Sequence, residues 1–289
     1  MQRRNFLLGS ASLLAATAHA AAPDFQQTMQ QIEADSAGRL GVAMLDTASG
    51  ASYAYRGAER FAMCSTFKFL VAAQILARVD QGQESLERRI AVTASDMVPY
   101  APVTQPRVGG APMSVAELCE AIITLSDNPA ANLLLHSFGG PPTLTAYARS
   151  LGDTQTRLDR TEPSLNQAEP CDPRDTTTPQ AMLQNLQKIV LGDALSPASR
   201  EHITRWLRDC QTGDRKLRAL LPAGWRVADK TGAGGHGSNN DIGLLWPPGR
   251  APILVTSYLT ASSADAPTRD LALARVGQWV AAHVAADAH

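Results

Sequence analysis

Asp241-Ile-Gly-Leu-Leu-Trp-Pro-Pro-Gly-Arg-Ala-Pro-Ile-Leu-Val-Thr-Ser-Tyr-Leu-Thr260 reads as two strands joined by a turn, and this stretch decides the fold. Asp241–Trp246 and Ile253–Thr260 are short and rich in branched and aromatic side chains; Pro247-Pro-Gly-Arg250 between them carries the residues that turn a chain. Trp225–Thr231 reads as a third strand just upstream. The matching signal lies near the other end, where Leu40–Asp46 is a strand, Thr47-Ala-Ser-Gly50 a turn and Ser52-Tyr-Ala-Tyr55 the returning strand. Between these two sets the pattern changes. Apolar residues recur at three- and four-residue spacing over Ser65–Val79, Ser114–Leu125, Pro129–Phe138, Pro141–Leu151, Thr178–Leu191 and Pro197–Leu207, the signature of helices. Ser114 followed by Glu117 is a capping box, and Gly139-Gly-Pro-Pro142 is a stop. Helices over Phe25–Ile32 and Thr268–Val284 bracket the whole. Strands at both ends around a helical middle predict an α/β chain of the α+β kind. Its antiparallel five-stranded sheet is built from both chain ends and flanked by helices, an all-α lobe is inserted, and a cleft between the two holds the site. The boundaries that follow are 21–64 and 209–289 for the α/β lobe and 65–208 for the all-α lobe.

The 289 residues carry a formal net charge of −1, and no basic face emerges that would serve nucleic acid or an anionic membrane. A small molecule is the expected partner, and a monomer the expected state. Residues 1–20 read as a targeting segment: Arg3-Arg4, an Ala/Leu run, and Ala18-His19-Ala20 as a small-x-small cleavage site. The arginine pair followed by Phe6-Leu7 resembles a twin-arginine export signal; an ordinary secretory signal with two arginines is the alternative. Either way the mature chain is expected in the periplasm or outside the cell, cleaved near Ala20. No cysteine near that point suggests a lipid anchor, and no later apolar run reaches the roughly 20 residues of a spanning helix. Cys64, Cys119, Cys171 and Cys210 lie 55, 52 and 39 residues apart, which fits no zinc pattern, and the six histidines form no paired-ligand motif. Neither metal nor cofactor is expected.

Ser65-Thr-Phe-Lys68 opens the first middle helix. A three-residue step puts Lys68 one turn above Ser65 on the same face, so an amine can meet and activate a hydroxyl. The helix start adds unsatisfied N–H groups suited to a developing oxyanion. Alone the motif is weak, because 19 serines and 4 lysines give roughly a quarter of one chance match per chain. Two more motifs follow in order: Ser126-Asp-Asn128 before Pro129, and Lys230-Thr-Gly232 at a strand end. Each could be a helix cap or an exposed strand end by itself. Together the three use two of the four lysines.

This set resembles the active-site serine β-lactamases and penicillin-binding proteins, and is most similar to class A β-lactamases, whose motifs serve as a worked example of this chemistry. The resemblance runs over nearly the whole mature chain. It implies a β-lactamase-like fold and hydrolysis of the β-lactam amide through an acyl-enzyme on Ser65. Arg160-Thr-Glu-Pro-Ser-Leu-Asn166 looks like the family's Ω-loop, here 160–175, so the resemblance assigns Glu162 and Asn166 to the hydrolytic water. It also implies an ion pair from Arg160 to Asp175, and Pro163 permits the family's cis peptide. By the same resemblance the backbone N–H groups of Ser65 and Ala233 form the oxyanion hole, and Lys68 or Glu162 takes the serine proton. Ser126 protonates the departing nitrogen, Lys230 and Thr231 recognise the substrate carboxylate, and Asn128 holds the acylamido carbonyl. Tyr100 resembles the aromatic at the pocket mouth.

The chain also departs from the pattern. Where many class A enzymes have an arginine on the strand after the lysine motif, Asn239 stands here. Lys216 and Arg269 are the two cations that could replace it; Arg269 is favoured, since a guanidinium reaches further and binds a carboxylate in a bidentate fork. Cys119 faces Ala72 instead of the family's second cysteine, and Gly234 stands where carbapenem-hydrolysing members pair a cysteine with the equivalent of Cys64. Two other readings share the serine and lysine motifs: a D,D-peptidase or transpeptidase, and a penicillin sensor that acylates and stops. Glu162 with Asn166 speaks against both, because each requires that water be kept from the ester.

Overall fold

A computed structural model of the chain describes residues 24–287. The export-signal reading, with Arg3, Arg4 and Ala20, lies outside these residues. In chain order the elements are α1 (Phe25–Asp35), β1 (Arg39–Asp46), β2 (Ser52–Tyr55), β3 (Phe61–Ala62), α2 (Phe67–Asp80), β4 (Arg89–Ile90), β5 (Met113–Ser114), α3 (Val115–Thr124), α4 (Asn128–Ser137), α5 (Pro141–Ser150), β6 (Thr176–Thr177), α6 (Pro179–Val190), α7 (Pro197–Arg208), β7 (Arg226–Ala233), β8 (Asn239–Trp246), β9 (Ile253–Thr260) and α8 (Ala266–Asp287). Helix starts follow their capping chemistry: Asp24, Ser114, Asp127, Thr178 and Ser196 each accept a backbone N–H of the first turn. Ser114 and Glu117 close a reciprocal box.

Five strands form one antiparallel sheet in the order β2-β1-β9-β8-β7, so the N-terminal hairpin joins the C-terminal strands through β1 against β9. The sheet is buried on both faces, and its period-2 alternation divides the core. Val42, Met44, Ile253, Val255 and Leu259 point to a cluster shared with α1 and α8, while Ala43, Leu254 and Tyr258 point to the larger cluster built with α2–α7. In the larger cluster α2 is sheathed on every side: each residue from Phe67 to Ala77 is buried. Its Phe67, Phe69, Leu70, Ile75 and Leu76 each contribute roughly 1.5–3 kcal/mol by leaving water.

The sequence reading did not anticipate four two-residue strands, β3 to β6, which are too short to show a period. One of these pairs positions the site. β3, just before Ser65, pairs with β6 at the end of the 160–175 loop, and the Met63 N–H donates to the Asp175 carbonyl at 2.9 Å. Among the described residues no helix is long and apolar enough to cross a membrane, and all four cysteines carry free thiols.

The sheet packs closely at Gly41 of β1, where an added Cβ would fall 2.4 Å from the Phe61 ring. Gly41→Val should therefore overpack the sheet beside β3 and destabilise the fold by about 1–3 kcal/mol. Denaturant titration checks this, and a midpoint unchanged from the parent would refute it.

Candidate active site

Ser65 sits on a strained corner. Cys64–Thr66 form a 3-10 turn that feeds directly into α2, with Cys64 at φ 45°. Asn240 Nδ2 of β8 holds this turn by donating to the Ala62 and Met63 carbonyls at 2.9 and 3.0 Å. β7 approaches so closely that a Cβ on Gly232 would lie 2.8 Å from the Met63 carbonyl oxygen and 3.2 Å from the Ser65 nitrogen. Glycine in the lysine motif thus lets the strand edge and the helix start share one wall of the cleft. A Cβ at Gly234 would meet the Cys64 sulfur at 2.6 Å, so position 234 does face Cys64 but offers it no thiol.

Lys68 is the hub. Its ammonium is fully buried and donates to Ser65 Oγ (3.0 Å), the Ser126 carbonyl (2.7 Å) and Asn128 Oδ1 (2.6 Å), with Ser126 Oγ at 3.4 Å. It also pairs with Glu162 Oε1 at 3.0 Å, both side chains having no exposure. The Ser65 hydroxyl donates to that same carboxylate oxygen at 3.4 Å. Burial lowers the Lys68 pKa, and Glu162 pulls it back up. Ser126, with φ 60° at the turn before α4, lies between the two cleft lysines, because Lys230 Nζ donates to Ser126 Oγ at 3.1 Å. Lys230 is also fully buried; burial first, then the charge of Lys68, brings its pKa down to about 7.

The Ω-loop is held at both ends and in its middle. Asp175 accepts from the Arg160 guanidinium at 2.6 Å and from the backbone N–H groups of Asp159 and Arg160 at 2.7 and 2.9 Å. The Gly235 N–H, past the end of β7, donates to the Asn166 carbonyl at 2.8 Å. The Glu162–Pro163 bond is cis. Asn166 Nδ2 donates to Glu162 Oε2 at 2.5 Å, and Asn166 Oδ1 is buried without a protein partner. Asn132 of α4 grips the glutamate's main chain in both directions, accepting its N–H and donating to its carbonyl, each at 2.9 Å. Nothing in the motifs pointed to Asn132; its spacing of four from Asn128 on one helix face was the available signal.

These groups surround a cavity of about 350 Å³ lined by Ser65, Tyr100, Ser126, Asn128, Asn166, Thr231 and Ala233 among others. Tyr100 stands at the mouth, 56% exposed at φ 67°, and its carbonyl accepts the Asn128 N–H at 3.0 Å. Asp127 ties that loop to α4 by accepting from the Val103 and Thr104 N–H groups and the Thr104 hydroxyl. Of the two cations weighed for the missing arginine, Lys216 lines the cavity, donating to Asn239 Oδ1, while Asn239 Nδ2 donates to Asp270 at 3.0 Å. Arg269 does not line it: its guanidinium donates to the Ala264 carbonyl at 2.5 Å, at the start of α8. The expectation that favoured Arg269 is corrected on this point. The difference is local: Arg269 is engaged with Ala264, while Lys216 is seated on Asn239 at the cavity wall.

The chain matches the beta-lactamase enzyme family over residues 24–284. Beta-lactamase CTX-M-8 of Citrobacter amalonaticus is 45% identical over 276 residues, covering 96% of this chain and 93% of the relative. Beta-lactamase Toho-1 of Escherichia coli is 44% identical over 282 residues, covering 96% and 97%. Among solved structures, an ancestral class A beta-lactamase shares 61% identity at a TM-score of 0.88, covering 89% of this chain and 98% of that one.

Because burial favours the neutral amine of Lys230, its charge disappears as pH rises through about 7 in the empty cleft. Affinity for a carboxylate-bearing ligand should therefore weaken on the alkaline side of neutrality. Lys230→Arg, which stays charged, should shift that loss to higher pH. Binding isotherms on a Ser65→Ala background test this, and identical pH profiles with lysine and arginine would contradict it.

Proposed function

The chain belongs to the beta-lactamase enzyme family as a class A serine β-lactamase, and from that premise we propose how its residues divide the work. The enzyme hydrolyses the β-lactam amide and confers resistance to β-lactam antibiotics. Ser65 Oγ attacks the lactam carbonyl carbon while its proton passes to the Lys68–Glu162 pair. That pair acts as one acceptor, since the two groups lie 3.0 Å apart and both touch the Ser65 hydroxyl. The N–H groups of Ser65 and Ala233 hold the oxyanion. As the ring C–N bond breaks, the nitrogen takes the Ser126 proton, which the two lysines flanking that hydroxyl replace. Glu162 then removes a proton from water, Asn166 orients that water, the new hydroxide adds to the acyl carbon, and the departing Ser65 oxygen takes a proton back from the Lys68–Glu162 pair.

Lys230, Thr231 and Lys216 bind the ring carboxylate. Asn128 turns its second amide proton to the acylamido carbonyl, the first being donated to the Pro99 carbonyl at 2.8 Å. Tyr100 borders the mouth. The observation that carries the deacylation step is the position of Glu162 Oε1, buried, 3.4 Å from the nucleophile and 3.0 Å from Lys68. A glutamate there gives the ester a base, which neither a transpeptidase nor a sensor would keep. We further propose two lobes, 21–64 with 209–289 and 65–208, around this cleft. Residues 1–20 are an export signal of twin-arginine type removed near Ala20, and the mature enzyme is a periplasmic monomer.

The purified mature protein should turn over a chromogenic cephalosporin. Glu162→Ala should acylate and then stall, leaving a persistent adduct on Ser65 by intact mass. Ser65→Ala should lose on the order of 10³–10⁶-fold in kcat. An unmutated protein that already accumulates the adduct would favour the sensor or transpeptidase. Lys216→Ala should raise KM about tenfold for carboxylate substrates, the scale of one charge-assisted hydrogen bond; an unchanged KM would remove Lys216 from the binding site.

A further inference from the structure

The cleft contains a residue that no sequence motif marks. Thr212, in the segment between α7 and β7, lines the cavity beside Thr231 and Lys216. Its Oγ1 lies 2.5 Å from Thr231 Oγ1, and the Cys210 sulfur lies 3.4 Å from Thr212 Oγ1 on the other side. Three proton-bearing side chains thus form a line from the buried thiol to the edge of the cleft.

We propose that Thr212 is a positioning residue for substrate recognition: its hydroxyl donates to Thr231 Oγ1 and so commits the Thr231 proton to the ring carboxylate of the substrate. This rests on the hydrolase reading above and adds to it. The reason is proton accounting. A hydroxyl has one proton and two lone pairs. In an O–H···O contact of 2.5 Å one partner must donate. If Thr231 donates inward, its oxygen shows only lone pairs to an arriving carboxylate, which repels. If Thr212 donates, the Thr231 proton faces the cleft, and an oxygen that accepts a hydrogen bond becomes a better donor. A carboxylate in the cleft therefore selects the second polarity, and only a donor at position 212 allows it without leaving a hydroxyl oxygen unpaired.

Cys210 feeds the same line. Its thiol is buried, and burial holds it protonated with a pKa pushed up to about 11, so it meets Thr212 as a neutral S–H and not as a competing anion. Neither neighbouring cation donates to the Thr231 hydroxyl. Lys230 donates to the Thr231 carbonyl at 2.7 Å rather than to its hydroxyl, and Lys216 is engaged with Asn239. Orientation of the Thr231 hydroxyl falls to Thr212.

The test pairs two enzymes with two substrates. Thr212→Val keeps the shape and removes the hydroxyl. On a penicillin carrying its free ring carboxylate, kcat/KM should fall about tenfold, the loss appearing in KM, while kcat holds. On the methyl ester of the same penicillin the loss should be much smaller, because a neutral ester carbonyl is a weaker acceptor than a carboxylate. Thr212→Ser should restore the parent KM. Equal losses on acid and ester would mean that Thr212 only supports the fold, and no loss on either would mean that Thr231 is oriented without it; both outcomes overturn the proposal. Failure of the unmutated enzyme to turn over the free acid would instead sink the hydrolase reading, and the relay with it.

Discussion

The site depends on a charge pair shielded from bulk solvent. Lys68 and Glu162 meet at 3.0 Å with neither side chain exposed. Burying either alone would cost several kcal/mol, and mutual attraction offsets that cost only when geometry and further hydrogen bonds are good. The surroundings supply both. Lys68 has serine, amide and main-chain oxygens around it, and Glu162 has Asn166 on one oxygen while Asn132 grips its backbone. The pair therefore does two jobs with one contact. It locks a loop to a helix, and it holds an amine and a carboxylate at the same hydroxyl, where a proton can be taken and returned.

That contact joins the Ω-loop to α2; the sheet brings in the rest. Lys230, Thr231 and Ala233 lie on β7, an edge strand, so their side of the ladder is open to the cleft instead of to another strand. An edge strand usually needs protection from foreign pairing. Here the helix start around Ser65 lies across it, and a Cβ at Gly232 would fall 2.8 Å from the Met63 carbonyl oxygen. The substrate wall and the covering of the edge are the same surface, which explains why residues more than 160 positions apart in sequence, Lys68 and Lys230, share one hydroxyl neighbour in Ser126.

Much of this was legible in the sequence because the signals were local. Strand hairpins and capped helices depend on spacing and on turn residues, and the three motifs place a serine and two lysines on recognisable element ends. What was illegible depends on distant parts of the chain. The two-residue strand β3 exists because Thr176 and Thr177 return to it, and nothing around Phe61 announces that. Asn132 reads as an ordinary helix residue until Glu162 arrives 30 positions later. The choice between Lys216 and Arg269 could not be settled from chemistry alone: a guanidinium is the better carboxylate ligand in isolation, but α8 turns Arg269 onto Ala264, and Asn239 gives Lys216 its seat. Thr212 carried no signal at all, because a threonine after a helix is common and its meaning lies in the threonine it touches.

The distribution of basic residues follows the same logic. Of 26 lysines and arginines only four are lysines, and three of those, Lys68, Lys216 and Lys230, are buried around the cleft. The surface and loop ion pairs are made by arginine: Arg56 with Glu33, Arg157 with Asp159, Arg174 with Asp172. A guanidinium stays charged under any condition the protein meets and serves where a fixed, forked cation is wanted. It cannot pass a proton on. Lysine can, once burial has weakened its hold on that proton, and burial lowers the pKa of all three cleft lysines. The cleft has to attract an anion and then move protons beside it, so it needs cations whose charge is conditional. Burial supplies that condition, and the neighbouring carboxylates, Glu162 at Lys68 and Asp241 and Asp270 near Lys216, limit how far it goes.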